Sequence, residues 1–436
     1  MLADFAAVLA GMGLVQALAG AVLVGRFAAA ASVPDAGLQD NYPPITVLKP
    51  LHGDEPLLEQ ALGSVCAQDY PEFQIVFGVQ DAADTALPVV ARLRARFPEC
   101  DIAVVVDPMR HGANGKVGNL INMLPRAKHA VLAIADSDLH AQPDYLARLA
   151  RALAEPGTGL VTTLYTGLPA ANRLSQWLGA TQITQYFLPG ALLARALGRQ
   201  DCLGATMALH RATLQRIGGL WALVDHLADD QVLGRRVAAL GLAVRLAPTV
   251  PATTVPETRL RDLLRHELRW ARTIRALEPG PFAASVLQYP LFWALAAVVL
   301  SGSGAWSWGV FCLAWVGRAG VALWVDRALD PLLGVTHEVP GAQPPLSPGS
   351  RASGAAAREP DDLQLSDGAN PADATSQGLA FPCPVWLLPL RDLISVGVML
   401  FSYASRRVEW RGHRLTADTP AAETPGRAAP GLTAPD

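Results

Sequence analysis

The chain has 436 residues, of which 51% are hydrophobic and 17% charged, and its mean hydropathy is +0.25. That is too apolar for a disordered chain or an ordinary soluble enzyme, so a membrane component is the first expectation. Lys and Arg number 35 against 38 Asp and Glu, and the formal charge of −3 provides no global field for gripping nucleic acid. Cys66, Cys100, Cys202, Cys312 and Cys383 are widely spaced with no Cys-x-x-Cys pair. Neither a disulfide framework nor a zinc site is implied, and reduced, mostly buried thiols are expected.

Phe5 to Gly25 carries no charge and is long enough to cross a bilayer as one helix, so residues 1–28 read as an N-terminal transmembrane anchor. A cleaved signal peptide fits less well, because the run is long and no basic segment precedes it. Arg26 follows the run and places the later residues in the cytoplasm by the positive-inside rule.

Residues 40–255 read as a globular α/β domain, in which short apolar strands alternate with helical stretches. Ile45 to Leu48 and Ile75 to Val79 are strand-like, Leu57 to Ala67 has helical spacing, and Ile102 to Val106 and Ala130 to Ala135 read as buried strands. In such sheets ligands gather at the carboxyl ends of strands. Two runs end in acids there: Val79-Gln80-Asp81, with Asp84 close behind, and Ala135-Asp136-Ser137-Asp138. An Asp-x-Asp is by itself a common turn or helix cap, but after a buried strand its carboxylates can share a hard divalent cation with a diphosphate.

Between these acids, His111 to Lys116 is glycine-rich without P-loop spacing. It reads as a surface loop from which Lys116, with Asn119, could reach a donor. Trp177 to Leu197 carries one charge, Arg195, and suits either an interfacial helix beside an acceptor path or a core helix. A third acidic site, Asp229-Asp230, opens the helical stretch Gln231 to Leu240. Residues 256–280 then form an interfacial helix carrying His266, Arg269 and Trp270 among further arginines, a pattern that also suits lipid headgroups.

An uncharged stretch from Pro279 to Gly317, with Gly302-Ser303-Gly304 as its turn, reads as a transmembrane hairpin over 281–327. Its first limb is Phe282 to Ser301. Its second, Ala305 to Val325, holds Arg318, which has to snorkel or pair. Residues 328–380 read as a flexible Pro-, Gly- and Ala-rich linker, and 416–436 as a disordered tail.

Residues 381–415 read as a terminal membrane segment and its basic end: the apolar run Phe381 to Ser405 is interrupted by Arg391-Asp392 and followed by Arg406, Arg407, Arg411 and Arg414. Here two rules conflict. Four full crossings put the C-terminus outside, whereas the basic cluster asks to stay in. A broken, re-entrant or interfacial segment with a mid-helix ion pair buried in protein is the expectation.

Acid after a strand, Asp-x-Asp, a later acid, then Arg-Trp on a helix at the membrane resembles inverting glycosyltransferases of the GT-A fold, family two and its relatives. Leu48-Lys49-Pro50-Leu51-His52-Gly53, Gln68-Asp69-Tyr70-Pro71, Val79-Gln80-Asp81, Cys202 to Met207 and Asp229-Asp230 look most like ceramide glucosyltransferases. Within that group the chain is most similar to the bacterial hopanoid-biosynthesis branch, over residues 1–330 and 381–415.

The resemblance implies a GT-A, Rossmann-like mixed sheet with α-helical transmembrane segments. Asp81 matches the aspartate that helps hold uracil and ribose, with Asp84 a weaker candidate. Asp136 matches the second aspartate, and with Asp138 would bind Mg²⁺ or Mn²⁺ on the diphosphate of a UDP-sugar. Asp230 matches the general base. Arg269 and Trp270 end the Gln/Arg-x-x-Arg-Trp motif, whose first position is His266 here, and imidazole can still donate to a phosphate or hydroxyl.

The expected reaction moves a sugar, N-acetylglucosamine from UDP-GlcNAc, onto a hydroxyl of a hopanoid such as bacteriohopanetetrol. The expected place is the cytoplasmic face of the cell membrane, with a nucleotide sugar, a membrane lipid and the bilayer as partners and no nucleic acid. Glucosyl transfer from UDP-glucose to ceramide, a processive polysaccharide synthase and a non-catalytic membrane scaffold stand as alternatives.

Overall fold

The computed structural model describes residues 1–32, 42–333 and 380–405, and the backbone of 407–410 and 413–416. The expected linker and tail lie almost wholly outside the described residues, as do the side chains of Arg406, Arg407, Arg411 and Arg414.

Strands β1 (Ile45–Pro50), β2 (Phe73–Val79), β3 (Asp101–Val106), β4 (Val131–Ala135), β5 (Leu139–His140), β6 (Thr158–Thr162), β7 (Thr166–Pro169), β8 (Thr206–His210), β9 (Ala243–Leu246) and β10 (Ala252–Val255) form the globular part. Near the C-terminus the backbone of β11 (Arg407–Trp410) pairs with that of β12 (His413–Thr416). The larger sheet runs β3-β2-β1-β4-β8-β6-β9 and the smaller β5-β10-β7. β1 to β4 are mutually parallel, and β8 runs antiparallel to β4 and β6. The fold is therefore α/β with a mixed sheet, and β4 sits where its parallel half meets the antiparallel strand.

The helices are α1 (Leu2–Ala31), α2 (Leu58–Cys66), α3 (Leu87–Arg96), α4 (Gly115–Met123), α5 (Tyr145–Ala154), α6 (Leu174–Gln182), α7 (Leu188–Ala196), α8 (Arg211–Arg216), α9 (Asp229–Ala239), α10 (Leu260–Leu277), α11 (Pro279–Ala284), α12 (Pro290–Leu300), α13 (Ala305–Leu329) and α14 (Leu388–Ser402). Strand alternation sorts the core. Val131, Ala133 and Ala135 of β4 face Leu62, Leu93 and Leu149 of α2, α3 and α5. Leu132 and Ile134 face Leu120, Leu214 and Leu233 of α4, α8 and α9. β3, expected as a buried strand, is the sheet edge and half exposed, with Val106 at 45%. Its apolar run cannot distinguish an edge from a centre.

Among the described residues, three helices, within 2–31, 305–332 and 385–402, are long and apolar enough to cross a membrane. Glycines let the first pack closely: a Cβ on Gly13 would lie 2.3 Å from the Leu287 carbonyl, one on Gly20 2.9 Å from Pro189, and one on Gly317 2.9 Å from Leu14. The first limb of the expected hairpin is not one straight helix. Residues 279–288 and 290–300 meet at 68°, because Pro290 has no N–H to continue the helical ladder. Gly302, at φ +67°, then turns the chain into α13.

The charged residues of this layer are held differently from expectation. Arg318 is buried, so it does not snorkel; its guanidinium donates to the Gln185 carbonyl at 2.8 Å and lies over the Tyr186 ring, and among the described residues it is in no salt bridge. Arg391 and Asp392 are both fully buried but not paired with each other. Arg391 makes two bonds to Glu267 of α10, at 2.8 and 2.7 Å. Asp392 accepts from the Tyr186 hydroxyl and the Leu291 N–H. Adjacent residues on a helix diverge by about 100°, which sends the two charges to different neighbours. Residues 174–196 bend through a π turn and pack Leu188 and Leu192 against α1 and α13, so this stretch is core on at least that side.

Candidate active site

β4 delivers Asp136, Ser137 and Asp138 beyond its carboxyl end, and the Asp136 N–H continues the pairing by donating to the Ala205 carbonyl at 3.1 Å. Two lysines hold this turn. Lys49, wholly buried in β1, donates from Nζ to the Asp136 carbonyl at 2.8 Å. Burial pulls its pKa down to about 8, opposed by the nearby Asp138 and Asp136. Lys116 of α4 sits 2.6 Å from Asp136 Oδ1 and donates to the Gly204 carbonyl at 3.3 Å. Burial works against the Lys116 ammonium, but Asp136 and Asp229 outweigh it and hold its pKa above the ordinary lysine value.

Asp138 is placed by the smaller sheet: Thr253 of β10 donates to its Oδ2 at 2.6 Å, and the Thr254 N–H to its carbonyl at 3.1 Å. Burial, then the charge of Asp136, push its carboxyl up to about 6. Two carboxylates are a hard-oxygen donor set that fits Mg²⁺ or Mn²⁺ only if further ligands come with the substrate. No group of three or more His, Cys, Asp or Glu converges as a metal site among the described residues. A diphosphate would have to complete the shell.

Asp229 and Asp230 open α9, where the helix dipole favours acids. Asp229 is buried and accepts from Asn114 Nδ2 at 3.3 Å, while Asn114 caps α4 through the Val117 N–H. The same Asn114 thus aligns the helices that carry Lys116 and Asp230. The Asp230 carboxylate accepts from the Gln231 N–H at 2.8 Å. Burial, then the neighbouring Asp229, raise its pKa to about 7. Its Oδ2 lies 3.0 Å from the position a Cβ would take on Gly204, so the glycine makes room for it.

The other sequence candidates fall in three places. Asp81 is exposed just past β2 and accepts from the Ala83 N–H at 2.9 Å. Asp84 accepts from the N–H groups of Gly53 and Ala86, each at 2.9 Å, and so ties the loop after β1 to the one after β2. Asn119 is buried beneath β2, donating to the Gly78 carbonyl at 2.7 Å. That position makes it a support for the strand end rather than a group facing the acids.

His266, Arg269 and Trp270 lie on α10, which leaves the end of β10. His266 Nδ1 meets Glu257 Oε1 at 2.5 Å and its ring stands edge-on to Trp270, centroids 4.4 Å apart. Burial opposes charge on Glu257, but His266 and the nearby Arg269 hold its carboxyl below the ordinary value. Tyr165 joins the two halves. It packs in one apolar cluster with Phe187, Trp270 and Phe381, and burial followed by Asp230, Asp136 and Asp138 raise its hydroxyl pKa.

Sequence reasoning assigned no role to Lys49, Asn114, Tyr165 or Glu257. Of these only Lys49 left a signal, a charge inside an otherwise apolar strand.

A mixed α/β sheet with acids at the end of its central strand, flanked by an Arg-Trp helix and apolar helices, defines the GT-A glycosyltransferase architecture. The chain belongs to glycosyl transferase family 21, whose model matches residues 5–336. It is similar to ceramide glucosyltransferase 1 of Caenorhabditis elegans, 22% identical over 57% of this chain and 53% of that protein. It is also similar to an N-acetylglucosaminyltransferase of Rhizobium sp. (strain N33), 26% identical over 54% and 53%, and to the ceramide glucosyltransferase of Candida albicans, 29% identical over 26% and 23%. The chain thus spans about half or less of the length of these curated relatives. Among solved structures, a mannosyltransferase from Pyrobaculum calidifontis in complex with GDP-Man and Mn2+ matches at a TM-score of 0.45 and 20% identity, over 73% of this chain and 87% of that one.

Proposed function

We propose that the protein is a membrane-bound inverting glycosyltransferase that moves a sugar from a nucleotide diphosphate sugar to a hydroxyl of a membrane lipid. The observation that carries this is the grouping of Asp136, Asp229 and Asp230 around Lys116, linked through Tyr165 to the aromatic face of α10. A carboxyl poised near neutrality suits a general base. Asp230 takes the proton of the acceptor hydroxyl while its oxygen attacks the anomeric carbon opposite the nucleotide, with no covalent intermediate. Lys116, moving from Asp136, and Arg269 meet the charge that develops on the departing diphosphate. Asp136 and Asp138 would hold Mg²⁺ or Mn²⁺, which when bound adds charge stabilisation on the diphosphate. Asp81 would contact the nucleoside, and His266, oriented by Glu257, would donate to a phosphate or to the acceptor.

The lipid would approach past half-buried aromatic rings. Trp177 lies 6.3 Å from Trp386 and 6.5 Å from Phe381 by ring centroids, and Phe381 shares the cluster of Trp270 and Tyr165. With Arg26 following the anchor, the catalytic domain would face the cytoplasm of a multi-pass protein in the cell membrane.

The particular substrates we propose are UDP-N-acetylglucosamine and a hydroxylated hopanoid such as bacteriohopanetetrol. Ceramide with UDP-glucose is the second reading, prompted by the relatives of that name. Mass spectrometry of lipids from a host expressing the chain and supplied with each acceptor separates them. A lipid heavier by one N-acetylhexosamine, absent with Asp230→Asn, is the expected result. A hexosylated ceramide selects the second reading, a polymer ladder a processive synthase, and no product with any acceptor a scaffold.

A further inference from the structure

α14 is inside-out for a helix on a protein surface. Its buried stripe contains Arg391, Asp392, Ser395 and Ser402. Its exposed stripe, starting in the turn before it, is Trp386, Leu390, Leu393, Leu400 and Phe401, each 41–70% exposed. Water would disfavour that face. The direction of α14 is set by α10, which it follows in parallel. Leu387 packs with Leu263, Arg391 binds Glu267, Met399 packs with Ala271, and Arg275 donates to the Ser405 carbonyl and lies over the Tyr403 ring.

α10 is itself fastened to the globular domain at both ends. Ser175 donates to the Glu257 carbonyl just before it, and Glu278 just after it pairs with Arg199 and Arg235 at 2.9 and 3.0 Å. A helix lying parallel against one so fastened has both of its ends at the level of that domain. Carrying it through a bilayer would take α10 along, with Arg261, Asp262, Arg265 and Arg272.

We infer that the segment 385–405 does not cross the membrane but lies in its surface beside α10, with its exposed stripe in the acyl layer and the exposed arginines of α10 at the phosphates. The occupant of this face is the lipid bilayer itself: the stripe is wholly apolar, and Arg261 and Arg265 on the neighbouring helix are exposed cations matched to anionic headgroups. Residues 380 and 405 are then on the same side, and the conflict between counting crossings and the basic cluster disappears. The inference rests on the membrane attachment proposed above.

Nitroxide labels on single cysteines test it in the full chain, with Cys100 and Cys312 changed to serine and the other three native cysteines buried. The labels go at Leu390, Leu393 and Leu400, with Val15 of α1 as reference, in phosphatidylethanolamine–phosphatidylglycerol vesicles. Oxygen and nickel-chelate accessibilities are expected to place the three α14 labels at one shallow depth and Val15 deeper. A maximum of depth at Leu393 means a crossing and overturns the inference while sparing the attachment. Water-exposed α14 labels overturn it too, and if Val15 is also in water the attachment itself fails. In sealed vesicles, Ala380→Cys and Ala404→Cys should react with an impermeant maleimide from the same side; reaction from opposite sides overturns the inference.

Discussion

Asp230 opens α9 next to Asp229 and beside Gly204. An acid in the first turn of a helix is ordinarily ionised well below neutrality, and only burial beside Asp229 lifts its pKa to about 7. Protonated Asp230 cannot accept a proton, so kcat/KM should rise with pH through about 7. Removing the neighbouring charge in Asp229→Asn lowers the pKa and should move that limb to lower pH. Asp230→Asn should reduce kcat roughly a thousandfold, the scale of lost general-base catalysis, with UDP binding retained. Gly204→Ala crowds the Asp230 carboxylate from 3.0 Å and should lower kcat about tenfold or more with little change in donor KM. Asn119 shows the opposite limit: residue type and spacing suited a donor contact, and packing placed it under β2.

At the scale of elements, apolar runs and periodicity revealed β1 to β4 and the long helices α1, α10 and α13, because burial writes itself into the sequence. Partnership across distance did not show. Arg391 and Asp392 read as a neighbouring ion pair, yet Arg391 is spent on Glu267, 124 residues earlier, and this bond fixes the register of α10 and so the placement of His266 and Trp270. Arg391→Met or Glu267→Met should each destabilise by about 3–5 kcal/mol, since a lone buried charge remains, whereas the double variant should recover part of that loss. Thermal melts in detergent measure it, and a double variant no more stable than either single one would exclude the clamp.

Across the whole molecule, Trp177 stands beside both Trp386 and Phe381, and Phe381, Trp270 and Tyr165 all pack against the buried cluster of Ala180, Ile183 and Val255. Trp177→Ala should raise KM for a lipid acceptor several-fold while leaving UDP affinity unchanged. Equal effects on both would point to general unfolding instead.

The sequence alone determined that the chain combines an α/β domain with apolar helices, and which acids follow buried strands, because hydrophobic pattern and strand-end position are local properties. The family resemblance rested on the same local strings. Tertiary structure alone decided which charges meet, that Lys49 and Lys116 hold Asp136, and that α14 runs beside α10. These depend on contacts between residues tens to hundreds of positions apart, where energy is set by distance and burial that no local pattern records.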